Sequence, residues 1–219
     1  MHALRLTLLV LLVPVTLVAC GNTDDPEADD AGRPGLTDIV RGATQAQSAL
    51  EQLAARAEQP PAEPVDFRVL RDRLPGAVAG LERTDVQGAR QGAMGFTVSE
   101  ATATYAGPDG DDGPPTLVLK IQDLGGAQMA LMMGLAWTMA EVDRETSTGF
   151  ERTMRLDGHP GYEEHDAAAR TGKVQVLVAD RFLVEAQGRL LESDALRAAV
   201  RSVNLAALEQ MRDEGRAGT

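Results

Sequence analysis

FTVSEATATYAGPDGDDGPPTLVLKI, residues 96–121, decides the fold. Phe96 to Tyr105 is rich in β-branched and aromatic side chains, which suit a pleated surface, and reads as a strand. Its apolar positions change phase, since Phe96 and Val98 are even and Ala101, Ala103 and Tyr105 odd. Either a bulge sits near Glu100 or one face is lined with Thr. Gly107 to Pro115 holds three Gly and three Pro and reads as a loop. Thr116 to Ile121 then alternates, with Leu117, Leu119 and Ile121 on one face. Two such strands across that loop form an antiparallel hairpin.

The flanking sequence extends this pattern. Val65, Phe67, Val69, Leu70 and Leu74 fit a short helix ended by Pro75-Gly76, and Leu81 to Val86 reads as a strand. Gly125-Gly126 opens a helix over Ala127 to Asp143 that is apolar over much of its circumference. A helix of that kind is expected to be buried at the centre of the domain. Further strands follow at Thr148–Leu156, His159–Asp166, Val174–Val178 and Phe182–Ala186, with Ala179-Asp180-Arg181 as a tight turn between the last two. Ser193-Asp194 is placed to cap a last amphipathic helix bearing Leu196, Ala199, Val200 and Val203 and continuing through Leu205, Leu208 and Met211. The order βββ, helix, ββββ, helix predicts an α+β domain. Its antiparallel sheet has six or seven strands, with a buried central helix and a C-terminal helix packed on it. This order resembles that of Mog1/PsbP-like domains, a likeness of fold that implies no site residue and no activity.

Catalytic motifs are absent: no GxSxG, HExxH, CxxC, P-loop or GxGxxG occurs. The single Cys is Cys20, so thiol chemistry has no residue in the domain. His159-Pro160-Gly161-Tyr162-Glu163-Glu164-His165-Asp166 is one cluster with metal-ligating side chains. On a strand, Glu163 and His165 share a face, and His159 joins them only if the chain folds back. A solvated edge strand is the plain reading; a metal-binding protein or metal-dependent hydrolase on His159, Glu163 and His165 is the alternative. Asp109 to Gly113 begins like a calcium loop, but the twelfth position, which must be Glu, is Lys120. Met129, Met132, Met133 and Trp137 lie on the apolar helix. Met packs adaptably, so these four could line a pocket for a lipid-like ligand, although Met stripes more often belong to a core. Glu141, Asp143, Arg144, Glu145, Glu151 and Arg152 read as an ion-paired surface. No cofactor is expected.

The N-terminus speaks to location. Arg5 precedes the apolar run Leu6–Val18, which at about 1.5 Å per residue spans only ~20 Å of a ~30 Å hydrocarbon core and so reads as a signal-peptide h-region. The run ends in Leu17-Val18-Ala19-Cys20-Gly21. This resembles the lipobox of bacterial lipoproteins, which implies cleavage after residue 19 and acylation of Cys20. Several acyl chains would hold the protein on a membrane, at about 0.8 kcal/mol per buried methylene. Gly21 stands where an Asp would signal inner-membrane retention in enteric bacteria, which points to an outer membrane where there is one.

The expected organisation is a leader at 1–19, an acidic disordered tether at 20–35, a helix and Pro-rich linker at 36–64, a domain at 65–213 and a disordered tail at 214–219. In the helix, over Leu36 to Gln59, Ile39, Val40, Ala43, Ala46, Leu50, Leu53, Ala54 and Ala57 form a thin apolar stripe. The stripe suits packing on the body, on another copy, or neither. Net charge is −12, becoming −13 once Arg5 leaves with the leader, which excludes a nucleic-acid partner. The functional expectation is a non-enzymatic, lipid-anchored domain facing the periplasm or cell exterior, with the membrane, through Cys20, and a protein or apolar small molecule as partners.

Overall fold

The computed structural model describes residues 62–93, 96–125 and 128–216. The leader, Cys20, the tether and the helix expected at 36–59 lie outside the described residues.

After a short helix α1 (Phe67–Arg71) come β1 (Ala77–Val78), β2 (Leu81–Ala93), β3 (Phe96–Ala106) and β4 (Thr116–Asp123). Helix α2 (Gln128–Met139) leads to β5 (Asp143–Glu145), β6 (Gly149–Leu156), β7 (His159–Asp166), β8 (Thr171–Val178) and β9 (Phe182–Arg189). The chain closes with α3 (Ser193–Ser202) and α4 (Leu205–Gln210). The nine strands form one sheet, ordered β1-β2-β3-β4-β9-β8-β7-β6-β5. Every neighbouring pair is antiparallel. Two meanders therefore meet where β9 returns to β4.

The expected six or seven strands become nine, because β1 and β5 have only two and three residues, too few to display a period of two. The hairpin read from residues 96–121 is β3–β4, in register from Ala106↔Thr116 to Ser99↔Asp123.

Each side of the sheet carries its own apolar cluster. On one side, Ala101, Ala103 and Tyr105 of β3, Leu117, Leu119 and Ile121 of β4, and Val184 and Ala186 of β9 pack under Leu70, Leu196, Val200 and Leu208. On the other, Leu177 and Leu183 pack with Ala130, and Val98, Met133 and Trp137 close the cluster. This explains the phase change in β3 without a bulge near Glu100. Val98 belongs to the α2 side, whereas the odd residues belong to the larger core. Thr102 and Thr104, on the α2 side of the same strand, are the Thr-lined face. The register shift lies instead in β2, between Arg83 and Asp85.

Helix α2 is not the buried centre that its composition suggested. It lies on one side of the sheet, with Met132 54% and Met139 69% exposed. The C-terminal helix is split at Asn204, whose left-handed backbone (φ 60°) lets its side chain accept from Ala207 N–H and start α4. Glu192, rather than Ser193 or Asp194, occupies the N-cap of α3.

The hydrogen-bonded body also runs past 65 and 213. Ala62 N–H donates to Gly125 O at 2.8 Å, and Glu63 N–H to Gly215 O at 2.9 Å. The end of the expected linker and the start of the expected tail thus pack together; residues 217–219 lie outside the described residues.

Candidate functional site

Cross-strand register builds the site. Arg144 of β5 stands opposite Glu151 of β6, which stands opposite Glu164 of β7, then Lys173 of β8 and Gln187 of β9. Facing residues of antiparallel strands share a side of the sheet, so these five form one polar row. A second row beside it runs Tyr162, Gln175, Glu185, Lys120 and Thr102. The rows lie on the side that carries α2, beyond the part that α2 covers. They continue the faces of Leu177 and Leu183, two residues on along β8 and back along β9.

The rows are wired internally. Lys173 Nζ pairs with Glu164 at 2.8 Å, Lys120 Nζ with Glu185 at 3.5 Å, and Arg144 with Glu151. Tyr162 Oη donates to Glu151 Oε2 at 2.6 Å, and Gln175 Nε2 to Glu185 Oε2 at 2.5 Å. Burial, the hydrogen bond to Glu151 and the nearby negative charge of Glu151 and Glu164 push the Tyr162 phenol up to about 12. Three carboxylates face three cations here, so the platform is close to neutral in an acidic protein. The first row floors a recess of about 430 Å³, walled by Thr146, Thr148 and Thr171. Gly149 is required at its rim: a Cβ there would fall inside the carbonyl oxygen of His165.

The His cluster separates. His159 and His165 occupy opposite ends of β7, six residues or ~20 Å apart at about 3.3 Å per residue. Glu163 projects to the opposite side from Glu164 and is buried. Its Oε2 accepts from Arg152 Nη2 at 3.0 Å and its Oε1 from Arg197 Nη1 at 2.5 Å. That carboxylate is therefore a strut between sheet and α3. The His165 ring stacks on Phe150 at 5.9 Å, and Arg152 lies over the same Phe150 at 4.4 Å. Among the described residues, no group of three His, Cys, Asp or Glu is placed to hold a metal ion.

The Met-lined pocket is also divided. Met133 and Trp137 pack against Leu177 and Leu183, whereas Met132 points to solvent. The side chain of Met129, like Cys20, lies outside what is described. The acidic loop is a pinned hairpin tip, with Asp112 paired to Arg170 at 2.6 Å and Arg189 Nη2 donating to Pro114 O at 3.2 Å.

Sequence reasoning missed the most buried ion pair. Arg181 Nε donates to Asp123 Oδ1 at 2.8 Å and Nη2 to Oδ2 at 2.7 Å, a bidentate fork. Nη1 reaches the carbonyls of Arg212 (2.9 Å) and Glu214 (2.6 Å), and Nη2 also reaches that of Glu63 (3.3 Å). Asp123 in turn accepts from Val65 and Gly125 N–H. The available signal was an Arg between the apolar runs Val174–Val178 and Phe182–Val184. No family model, curated protein or solved structure matches this chain.

Proposed function

We propose that this chain is a lipid-anchored, non-enzymatic binding domain of the cell envelope, and that its site is the polar recess on the β5–β9 side of the sheet. The anchor rests on the leader and on Cys20 within Leu17-Val18-Ala19-Cys20-Gly21. The observation that carries the site is the charge-balanced row Arg144, Glu151, Glu164, Lys173 and Gln187 flooring a volume of about 430 Å³. Volumes of that order hold small ligands, and this one is lined mainly by hydrogen-bonding groups, with Phe150 beside them. With Asp166, three carboxylates face Arg144 and Lys173, so the lining is about one charge negative and offers many donors and acceptors but no net attraction for an anion. The chemistry suits a neutral, polyhydroxylated ligand such as a saccharide segment.

Isothermal titration calorimetry of the whole mature chain against soluble oligosaccharides tests this reading. Glu164→Ala should weaken binding about tenfold or more, because a charge-assisted hydrogen bond contributes about 1.5–3 kcal/mol and ~1.4 kcal/mol is tenfold. Failure of every oligosaccharide to bind, or binding indifferent to Glu164→Ala and Gln187→Ala, would overturn it.

A further inference from the structure

The row that floors the recess does not stop at β9. Gln187 stands opposite Val118 of β4, and Val118 opposite Thr104 of β3. The second row runs beside it through Lys120 and Thr102 to Gln87 of β2. Strands lie about 4.8 Å apart, so the four gaps from β5 to β9 span ~19 Å and the six from β5 to β3 ~29 Å. Along the continuation Gln87 is exposed, and Val118, Thr102 and Thr104 are half-buried. The line also has two sides. Toward one end of the strands stands the apolar cluster of α2 with Leu177, Leu183 and Val98. Toward the other stands the β3–β4 loop, whose Pro114 carbonyl accepts from Arg189 at 3.2 Å. Arg189 lies two residues past Gln187, on the same side of β9.

We infer that the recess is one end of a track that continues over β9, β4 and β3, and that its ligand is a linear, neutral saccharide chain longer than the recess, a step that rests on the recess being a saccharide site. Two observations select this occupant. The first is that charge thins along the row. Arg144, Glu151, Glu164 and Lys173 stand within the recess, whereas Val118 and Thr104 carry no charge. Lys120 and Glu185 beside them neutralise each other at 3.5 Å. Amides and hydroxyls repeated at the strand spacing suit a ligand that repeats its own hydroxyls. The second is direction. An extended peptide adds to a sheet at a free edge, where backbone groups are unpaired. The track instead crosses β8, β9 and β4, whose backbones already pair with a neighbour on each side. An occupant lying across them must bring hydrogen-bonding groups of its own, as a saccharide does.

Titration calorimetry of the whole mature chain with dimers and hexamers of cello-, malto- and chito-oligosaccharides tests it. In a series that binds, the hexamer should exceed the dimer in affinity by about tenfold or more, the factor that one or two additional neutral hydrogen bonds supply. Thr104→Arg, which fills the track beyond the recess, should bring that ratio near unity. Val118→Lys should do the same from the neighbouring strand, and Glu164→Ala should weaken dimer and hexamer alike. A native ratio no larger than the number of dimer-length stretches in a hexamer, with Glu164→Ala still weakening both, would overturn the track and leave the recess standing. A ratio that survives both Thr104→Arg and Val118→Lys would also overturn it. No binding in any series would remove the reading of the recess, and the track with it.

Discussion

Arg181 and Asp123 show what a single residue can decide here. The guanidinium is buried at the β8–β9 turn, neutralised by one carboxylate, and its remaining donors reach carbonyls of the entering and leaving chain. Removing one partner of such a pair leaves an uncompensated buried charge, which costs about 3–5 kcal/mol. Arg181→Met should therefore lower the unfolding free energy from chemical denaturation by that amount, moving the midpoint down, and release the 62–65 and 211–215 segments to early hydrogen exchange. An unchanged midpoint would show the fork to be dispensable. The two tyrosines give a pH test. Tyr162 is raised to about 12, and burial of Tyr105 raises it as well, from ordinary values of 10.0. A phenol raised in the folded state stabilises the fold below pH 10 and loses that contribution as pH climbs toward 12, because the unfolded chain ionises first. Tyrosinate absorbance of the native protein should stay flat through pH 10 and jump on unfolding, and Tyr162→Phe should flatten the alkaline loss of stability. A native titration step at pH 10 would contradict the site geometry.

At the scale of elements, the contact between α3 and the sheet is governed by a pair of glycines. Gly172 and Gly188 face each other across β8 and β9, and Leu196 of α3 seats on both. A Cβ on Gly188 would approach Leu196 Cδ2 to 2.7 Å and Leu191 Cδ1 to 3.0 Å, and one on Gly172 would approach Leu196 Cδ1 to 2.8 Å. Gly188→Val should thus lift α3 and cost about 1–3 kcal/mol by overpacking, while Leu196→Ala should cost about 2–5 kcal/mol by leaving a cavity. Thermal denaturation of both variants checks the pair, and a neutral Gly188→Val would mean that α3 sits farther from the sheet. The α3 helix was legible because its apolar face repeats at helical spacing. Its break at Asn204 was not, since only the left-handed backbone of that residue reveals where one helix stops and the next begins.

The whole molecule joins an acidic chain to a nearly neutral platform, with residues 62–63 hydrogen-bonded beside Gly125 and Gly215. If Cys20 carries the anchor, Cys20→Ser should abolish acyl labelling and move the protein from the membrane to the soluble fraction, and a variant that still pellets with membranes would refute the lipobox reading. No helix of the described residues is long and apolar enough to cross a membrane. Local order in the sequence determined the antiparallel β3–β4 hairpin, seven of the nine strands and the α+β class. Each of these is written in residues close along the chain, where periodicity, turn chemistry and a run of apolar residues act directly. Tertiary structure alone decided the recess, because its floor takes one residue from each of five strands and strand register sets which of them align. It alone joined Arg181 to Asp123 across 58 residues, and it alone separated His159 from His165 along one strand. It also decided that α2 lies on the sheet and not inside the domain: a helix apolar all round has no preferred face of its own, so only its neighbours can say which side is covered.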